Sequence, residues 1–257
     1  MTGNNWRGIV LQTRDRKLLE ELATMRVVDR EQAKMAAGFR SVSRANVRLL
    51  ALVRAGLLRR FFLGSVAAGR KALYSLSAKG AKLIGSPMRG PRRRNGEILI
   101  GDAFVAHQLT VNEIHCDLEF GHLPEGISFL RWIAFFEPLA NTRLIPDGYV
   151  ELSVGAESFA AFIEVDLGHE SLSIWQQKIR KYLDYALSGA NARDFGQNTF
   201  RVLVIAPSER RLRTIRETAA KVTEKLFWFA DLNAIRKGGL FAPVWYRAKV
   251  DHQQLLA

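Results

Sequence analysis

The stretch Ile145-Pro-Asp-Gly-Tyr-Val-Glu-Leu152, followed by Phe159-Ala-Ala-Phe-Ile-Glu-Val-Asp-Leu-Gly-His-Glu-Ser171 and then Gln176-Gln-Lys-Ile-Arg-Lys-Tyr-Leu-Asp-Tyr185, decides how the second half of this chain is read. In Ile163 to Leu167 the side chains alternate with the period of a strand. Ile163, Val165 and Leu167 share one face; Glu164 and Asp166 share the other. Adjacent like charges on a strand are destabilising unless something positive neutralises them. Asp147 opens the preceding strand, Tyr149 to Val154, and reaches the same place if the two strands pair as a hairpin. Read this way, the carboxylates form a cluster suited to a divalent metal. The apolar flanks of Glu164 mark its strand as central, whereas Asp147, in Pro-Asp-Gly, also fits a plain turn.

A helix follows. Ser173 with Gln176 reads as a capping box, which starts the helix at residues 171–173. Trp175, Ile179, Tyr182, Leu183, Ala186 and Leu187 form an apolar arc at helical spacing, with Gln177, Lys181, Asp184 and Ser188 opposite. Lys178 falls inside the arc. A lysine there either reaches out to solvent or meets a carboxylate. The acidic strand is the expected partner, and a plain ion pair with Asp166 is an open alternative.

The charge is divided unevenly. Residues 1–100 carry 21 Lys/Arg against 6 Asp/Glu, a net of +15; the remainder carries 17 against 19, a net of −2. Such asymmetry is the footprint of a polyanion-binding module joined to a near-neutral partner domain. No apolar run reaches membrane-spanning length, and residues 1–5 lack the basic and apolar regions of a secretory signal. The single cysteine, Cys116, excludes an internal disulfide and a cysteine-rich zinc site. A cytoplasmic location, with no membrane partner, is expected.

The basic part has an ordered pattern. Thr13 caps a helix to Met25, Asp29 and Gln32 open a short second helix, and Ser41 caps a third that ends at Gly56. Two strands follow, Leu57 to Phe62 and Ala72 to Leu76, joined by a turn from Gly64 to Arg70; Ser77 then caps a short helix. Three helices and a two-stranded wing make a winged helix-turn-helix over residues 10–86, whose third helix enters the major groove. Arg40, Ser43, Arg44 and Arg48 then face DNA from that helix, and Arg59, Arg60, Arg70 and Lys71 flank the wing. Residues 87–97 read as a basic linker, where Arg92, Arg93 and Arg94 lie along the DNA backbone. From 98 to 250 the order is helix, three strands, helix, strand, helix and a trailing strand. Phe200 to Ala206 is the buried central strand, and Gly189 to Asn198 reads as a loop. The fold class is α/β (α+β): a winged helix-turn-helix followed by a mixed-sheet α/β domain.

Pro-Asp before Glu-x-Asp, with a lysine in the next helix, resembles the PD-(D/E)XK nuclease superfamily. The chain as a whole resembles the replication-relaxation family of plasmid and mobile-element proteins, on the stretches TRDRKLLEELATMRVVDREQ, RLIPDGYVEL, FIEVDLGHESL, QQKIRKYLDY and FRVLVIAPSERR. The resemblance implies a Mg²⁺- or Mn²⁺-dependent endonuclease domain. Asp147, Glu164 and Asp166 would act at the metal, Glu113 would be an additional acidic ligand, and Lys178 would replace the motif lysine whose place Asp166 takes. The implied partners are double-stranded DNA, a second copy of the chain, and replication or transfer proteins. A non-catalytic DNA-binding accessory or regulator is the competing expectation.

Overall fold

The computed structural model describes residues 9–65, 69–139 and 142–254. Residues 1–5, read for a secretory signal, and residues 66–68, within the stretch expected to join the two strands of the first unit, are outside that set. The chain divides into two compact units, Met1–Cys116 and Asp117–Ala257. The architecture is α+β, with nine helices and two mixed sheets among the described residues.

The first unit begins with α1 (Thr13–Met25), α2 (Arg30–Ala36) and α3 (Val42–Arg54), followed by the antiparallel hairpin β1 (Leu58–Ser65) and β2 (Gly69–Leu76) and by α4 (Ala78–Leu83). The expected element order is therefore the order found. Leu18, Leu19, Leu22 and Met25 are buried along α1, one face of a helix spaced by threes and fours. Asp29 caps α2, accepting the Gln32 N–H at 2.9 Å, and Ser41 caps α3. The α1 cap differs from expectation: it is Gln12 rather than Thr13, and its N–H donates to Asp15 Oδ2 at 2.7 Å. The hairpin also reaches further than expected, with pairs continuing through Gly64↔Arg70 to Ser65↔Gly69.

Residues 86–97, expected as a tether, are tied down. Gly96 N donates to Arg60 O at 2.8 Å, Arg60 N to Asn95 Oδ1 at 3.0 Å, and Arg26 Nε to Arg89 O at 3.0 Å. Pro and Gly deny this segment regular structure, but its carbonyls still find donors. β3 (Ile98–Leu99) then pairs in parallel with β1. Leu99 and Val105 join Val27, Phe61 and Leu73 in one apolar cluster. This packing ties residues 98–105 to the first unit, and the division between the two compact units falls within α5 (Ala103–Glu119).

The second unit is built on a seven-stranded sheet of order β10-β9-β8-β7-β6-β5-β4. β4 (Ile127–Ile133), β5 (Gly148–Val154) and β6 (Glu157–Val165) form an antiparallel meander. β6, β7 (Arg201–Ala206) and β8 (Phe227–Asp231) are parallel; β9 (Trp245–Arg247) and β10 (Val250–Gln254) close the sheet antiparallel. α6 (Leu172–Leu187) and α8 (Glu209–Ala220) provide the crossovers, with short α7 (Ala190–Phe195) and α9 (Leu232–Gly238) beside them. The core gathers Phe162, Val202 and Val204 from the sheet with Trp175, Ile179 and Tyr182 from α6 and Leu212 and Ile215 from α8. β7 is central and almost wholly buried, which explains its unbroken apolar run. Two elements of this unit escaped the sequence reading. α7 is a six-residue helix bracketed by Gly189 and Gly196, residues that signal a loop, and β10 lies beyond the strand expected to be last.

Candidate functional site

The site is set up by the β5–β6 hairpin. Val154 faces Glu157 across a two-residue turn that Gly155 opens at φ 60°, so the register runs on to Gly148↔Ile163. At the far end Asp147 N donates to Ile163 O at 3.1 Å, and Asp147 Oδ2 accepts the Val165 N–H at 2.7 Å. The carboxylate of Asp147 is thereby pinned across the end of β6, beside Glu164. The following residue must be glycine: a Cβ on Gly148 would lie 2.2 Å from the Trp132 ring of β4. Phe162 and Glu164 alternate onto the sheet face that α6 covers, where Phe162 packs on Tyr149 and Tyr182. Ile163 and Val165 occupy the other face. Both faces are buried, and Glu164 is 1 % exposed.

α6 is capped by Ser171, whose Oγ accepts the Ile174 N–H, and not by Ser173. Its buried residues are Trp175, Ile179, Tyr182 and Tyr185, while Leu187, expected in the arc, is exposed. The apolar stripe is thus turned toward Trp175 and Tyr185, and this brings Lys178 onto the acidic end of β6. Lys178 Nζ lies 2.8 Å from Glu164 Oε2 and 2.7 Å from Glu170 Oε1. Tyr182 donates its hydroxyl to Glu164 Oε1 at 2.6 Å. Lys178 therefore meets Glu164, not Asp166. Tyr182, expected in the apolar arc, has both a core and a polar contact. Glu170 was not singled out from sequence; its position in the glycine-containing turn before the α6 cap was the only signal.

Burial pushes the Glu164 carboxyl up to about 7; Lys178 opposes this and the charge of Asp147 adds to it. Burial also opposes the charge on Lys178, but Glu164, Glu170 and Asp147 together raise its pKa. Burial, then Glu164, raises that of the Tyr182 hydroxyl as well. Asp147, Glu164, Glu170 and Lys178 thus form one electrostatic unit.

Asp166 is engaged elsewhere. Its carboxylate accepts the indole N–H of Trp175, the Gly168 N–H and, at 2.5 Å, an Arg211 N–H; Arg211 also donates to Glu170 O at 2.5 Å. These bonds fix the turn between β6 and α6. Glu113 lies on α5 in the first unit. Among the described residues no group of three or more His, Cys, Asp or Glu side chains is arranged to hold a metal, so the four-carboxylate set is not assembled as such. The pair Asp147 and Glu164 still suits Mg²⁺ or Mn²⁺: Mg²⁺ uses one or two carboxylates and keeps several of its waters, and a second positive charge would favour the ionised Glu164 that burial and Asp147 disfavour.

The basic residues of the first unit divide into two groups. Arg40, Ser43 and Arg44 at the start of α3, with Arg70, Arg92 and Arg94, are exposed, and none of these arginines forms an ion pair among the described residues. Arg48, Lys71 and Arg93 are committed. Arg48 Nε donates to Asp15 Oδ1 at 2.6 Å, and Asp15 is fully buried. Lys71 pairs with Asp29 at 2.7 Å, and Arg93 with Asp102 and Glu97. Arg59 donates to Arg93 O at 3.4 Å, and Arg60 lies over the Phe62 ring.

No helix among the described residues is long and apolar enough to cross a membrane. No curated protein and no solved structure matches the chain. A family model described as replication-relaxation matches residues 19–200, from α1 through the β5–β6–α6 site to the threshold of β7; the chain belongs to the replication-relaxation family.

Proposed function

We propose that this protein binds duplex DNA of plasmids or mobile elements through its basic first unit, a winged helix-turn-helix. On this reading its second unit is a PD-(D/E)XK-type, Mg²⁺-dependent endonuclease domain that works in the cytoplasm alongside replication or transfer proteins. The observation that carries the catalytic half is the convergence of Asp147, Glu164 and Lys178 from two paired strands and the adjoining helix. Asp147 and Glu164 would hold the ion. When bound, it would polarise a phosphodiester and lower the pKa of an attacking water. Lys178 supplies positive charge where negative charge develops on phosphate. Tyr182 keeps Glu164 oriented, and Asp166, through Trp175 and Arg211, holds the turn that carries Glu170.

One observation favours a second reading. Lys178 already gives Glu164 a counter-charge at 2.8 Å, which suits a non-catalytic accessory or regulator that uses this unit for dimerisation or partner recruitment. Purified protein incubated with supercoiled plasmid separates the two. With Mg²⁺ or Mn²⁺ the wild type is expected to nick or cut, Asp147→Asn and Glu164→Gln to lose at least about 100-fold in rate (~2.7 kcal/mol in barrier), and all three to shift DNA equally in EDTA. Intact plasmid under every condition, with DNA binding retained, would replace the nuclease by the accessory role.

A further inference from the structure

The second unit carries its own cationic cleft. It has a volume of about 550 Å³ and is lined by Thr142, Arg143, Lys181, Asp184, Tyr185 and Arg193, among others. Three cations face one exposed carboxylate. No carboxylate among the described residues lies within ion-pair distance of Arg143, Lys181 or Arg193. These charges therefore form no ion pair of the kind Arg48 makes with Asp15 and Arg211 with Asp166.

The cleft is built to hold its shape. Thr142 Oγ1 donates to Leu139 O at 3.0 Å and accepts the Leu144 N–H at 3.0 Å, which fixes the turn presenting Arg143. Tyr185 donates its hydroxyl to Asp194 at 2.8 Å, anchoring α7 to α6. Arg193 Nη1 is held on Ser188 O at 3.1 Å. Lys181 comes three residues after Lys178, about 4.5 Å farther along α6. The cleft therefore begins one helical turn from the amine that touches Glu164.

We infer that this cleft binds the phosphate backbone of one strand of duplex DNA, next to the phosphate presented to Asp147, Glu164 and Lys178. The inference rests on the proposed DNA-handling role and adds a contact within the second unit, separate from the basic first unit. Backbone phosphate contacts release counterions, and each contributes about 0.9 to the slope of log affinity against log salt.

The test is the salt dependence of binding to a short duplex, followed by fluorescence anisotropy on the full chain in EDTA, where cleavage plays no part. Arg143→Ala and Lys181→Ala are each expected to lower the slope by about 0.9, and the double variant by about 1.8. Asp184→Asn is expected to tighten binding, a gain that misfolding does not mimic. Wild-type binding with unchanged slopes in the two alanine variants and their double would overturn the cleft alone. No binding by the wild type would overturn the DNA reading and the cleft with it. Cleavage, present or absent, bears on neither result.

Discussion

Glu164 is a carboxylate placed where burial disfavours its charge. Its folded pKa of about 7 stands above the ordinary 4.5, so the folded state holds the proton more tightly than the unfolded chain. The stability it contributes is fully present below about 4.5 and is lost as pH rises through about 7. In metal-free protein, urea unfolding of the wild type should therefore show stability falling across that window. Glu164→Gln should flatten the fall, because a neutral amide has no proton to lose; an equally steep fall in the variant would assign the pH dependence to other groups. Lys178 and Tyr182 hold Glu164 from the helix side, while Asp147 supplies the like charge that makes the position responsive to a cation. Alternation and helical spacing aimed Lys178 at the acidic strand, and the nuclease resemblance joined it with Asp147 and Glu164 in one site. Neither could reveal that Asp166 turns to Trp175 and Arg211, because Arg211 lies 45 residues away in the chain. The Arg48–Asp15 pair, 33 residues apart, was hidden for the same reason and removes Arg48 from the freely exposed cations.

The β5–β6 hairpin and α6 are the elements that convert these residues into a site. Their existence was legible from a two-residue period followed by a helical one. Their details were set by packing. The α6 stripe is defined by whichever aromatic side chains fill the space over Phe162, and Tyr185 does so where Leu187 was expected. α7 was invisible because its flanking glycines carry the loop signal more strongly than six residues carry a helical one. Gly148 joins site and fold at this scale, since the Trp132 ring occupies the volume of a would-be Cβ. Gly148→Ala should cost about 2 kcal/mol of stability, the usual range for an overpacked core position, and should displace Asp147 by pushing β5 from β4. Urea denaturation checks the first effect and plasmid cleavage the second. A variant as stable as the wild type would mean that the strand end yields without strain.

Over the whole molecule, charge was the most legible property, with the excess of basic residues confined to the first unit. What it did not reveal is how many of those cations are already committed. Arg48, Lys71 and Arg93 serve the fold, whereas Arg40, Arg44, Arg70, Arg92 and Arg94 remain exposed, and the second unit adds its own cationic cleft. Residues 86–97 read as a tether by composition, yet their backbone hydrogen bonds bind them to the first unit. Proline and glycine report the absence of regular structure, not the absence of contacts. Above all, Asp147 and Glu164 are proposed to take up one divalent cation together. Calorimetric titration of Mn²⁺ at about pH 6.5 tests this most directly, since Glu164 then still carries part of its proton. The wild type is expected to bind one ion with proton release and Glu164→Gln to bind none; no ion bound by the wild type, or equal binding by the variant, would contradict it.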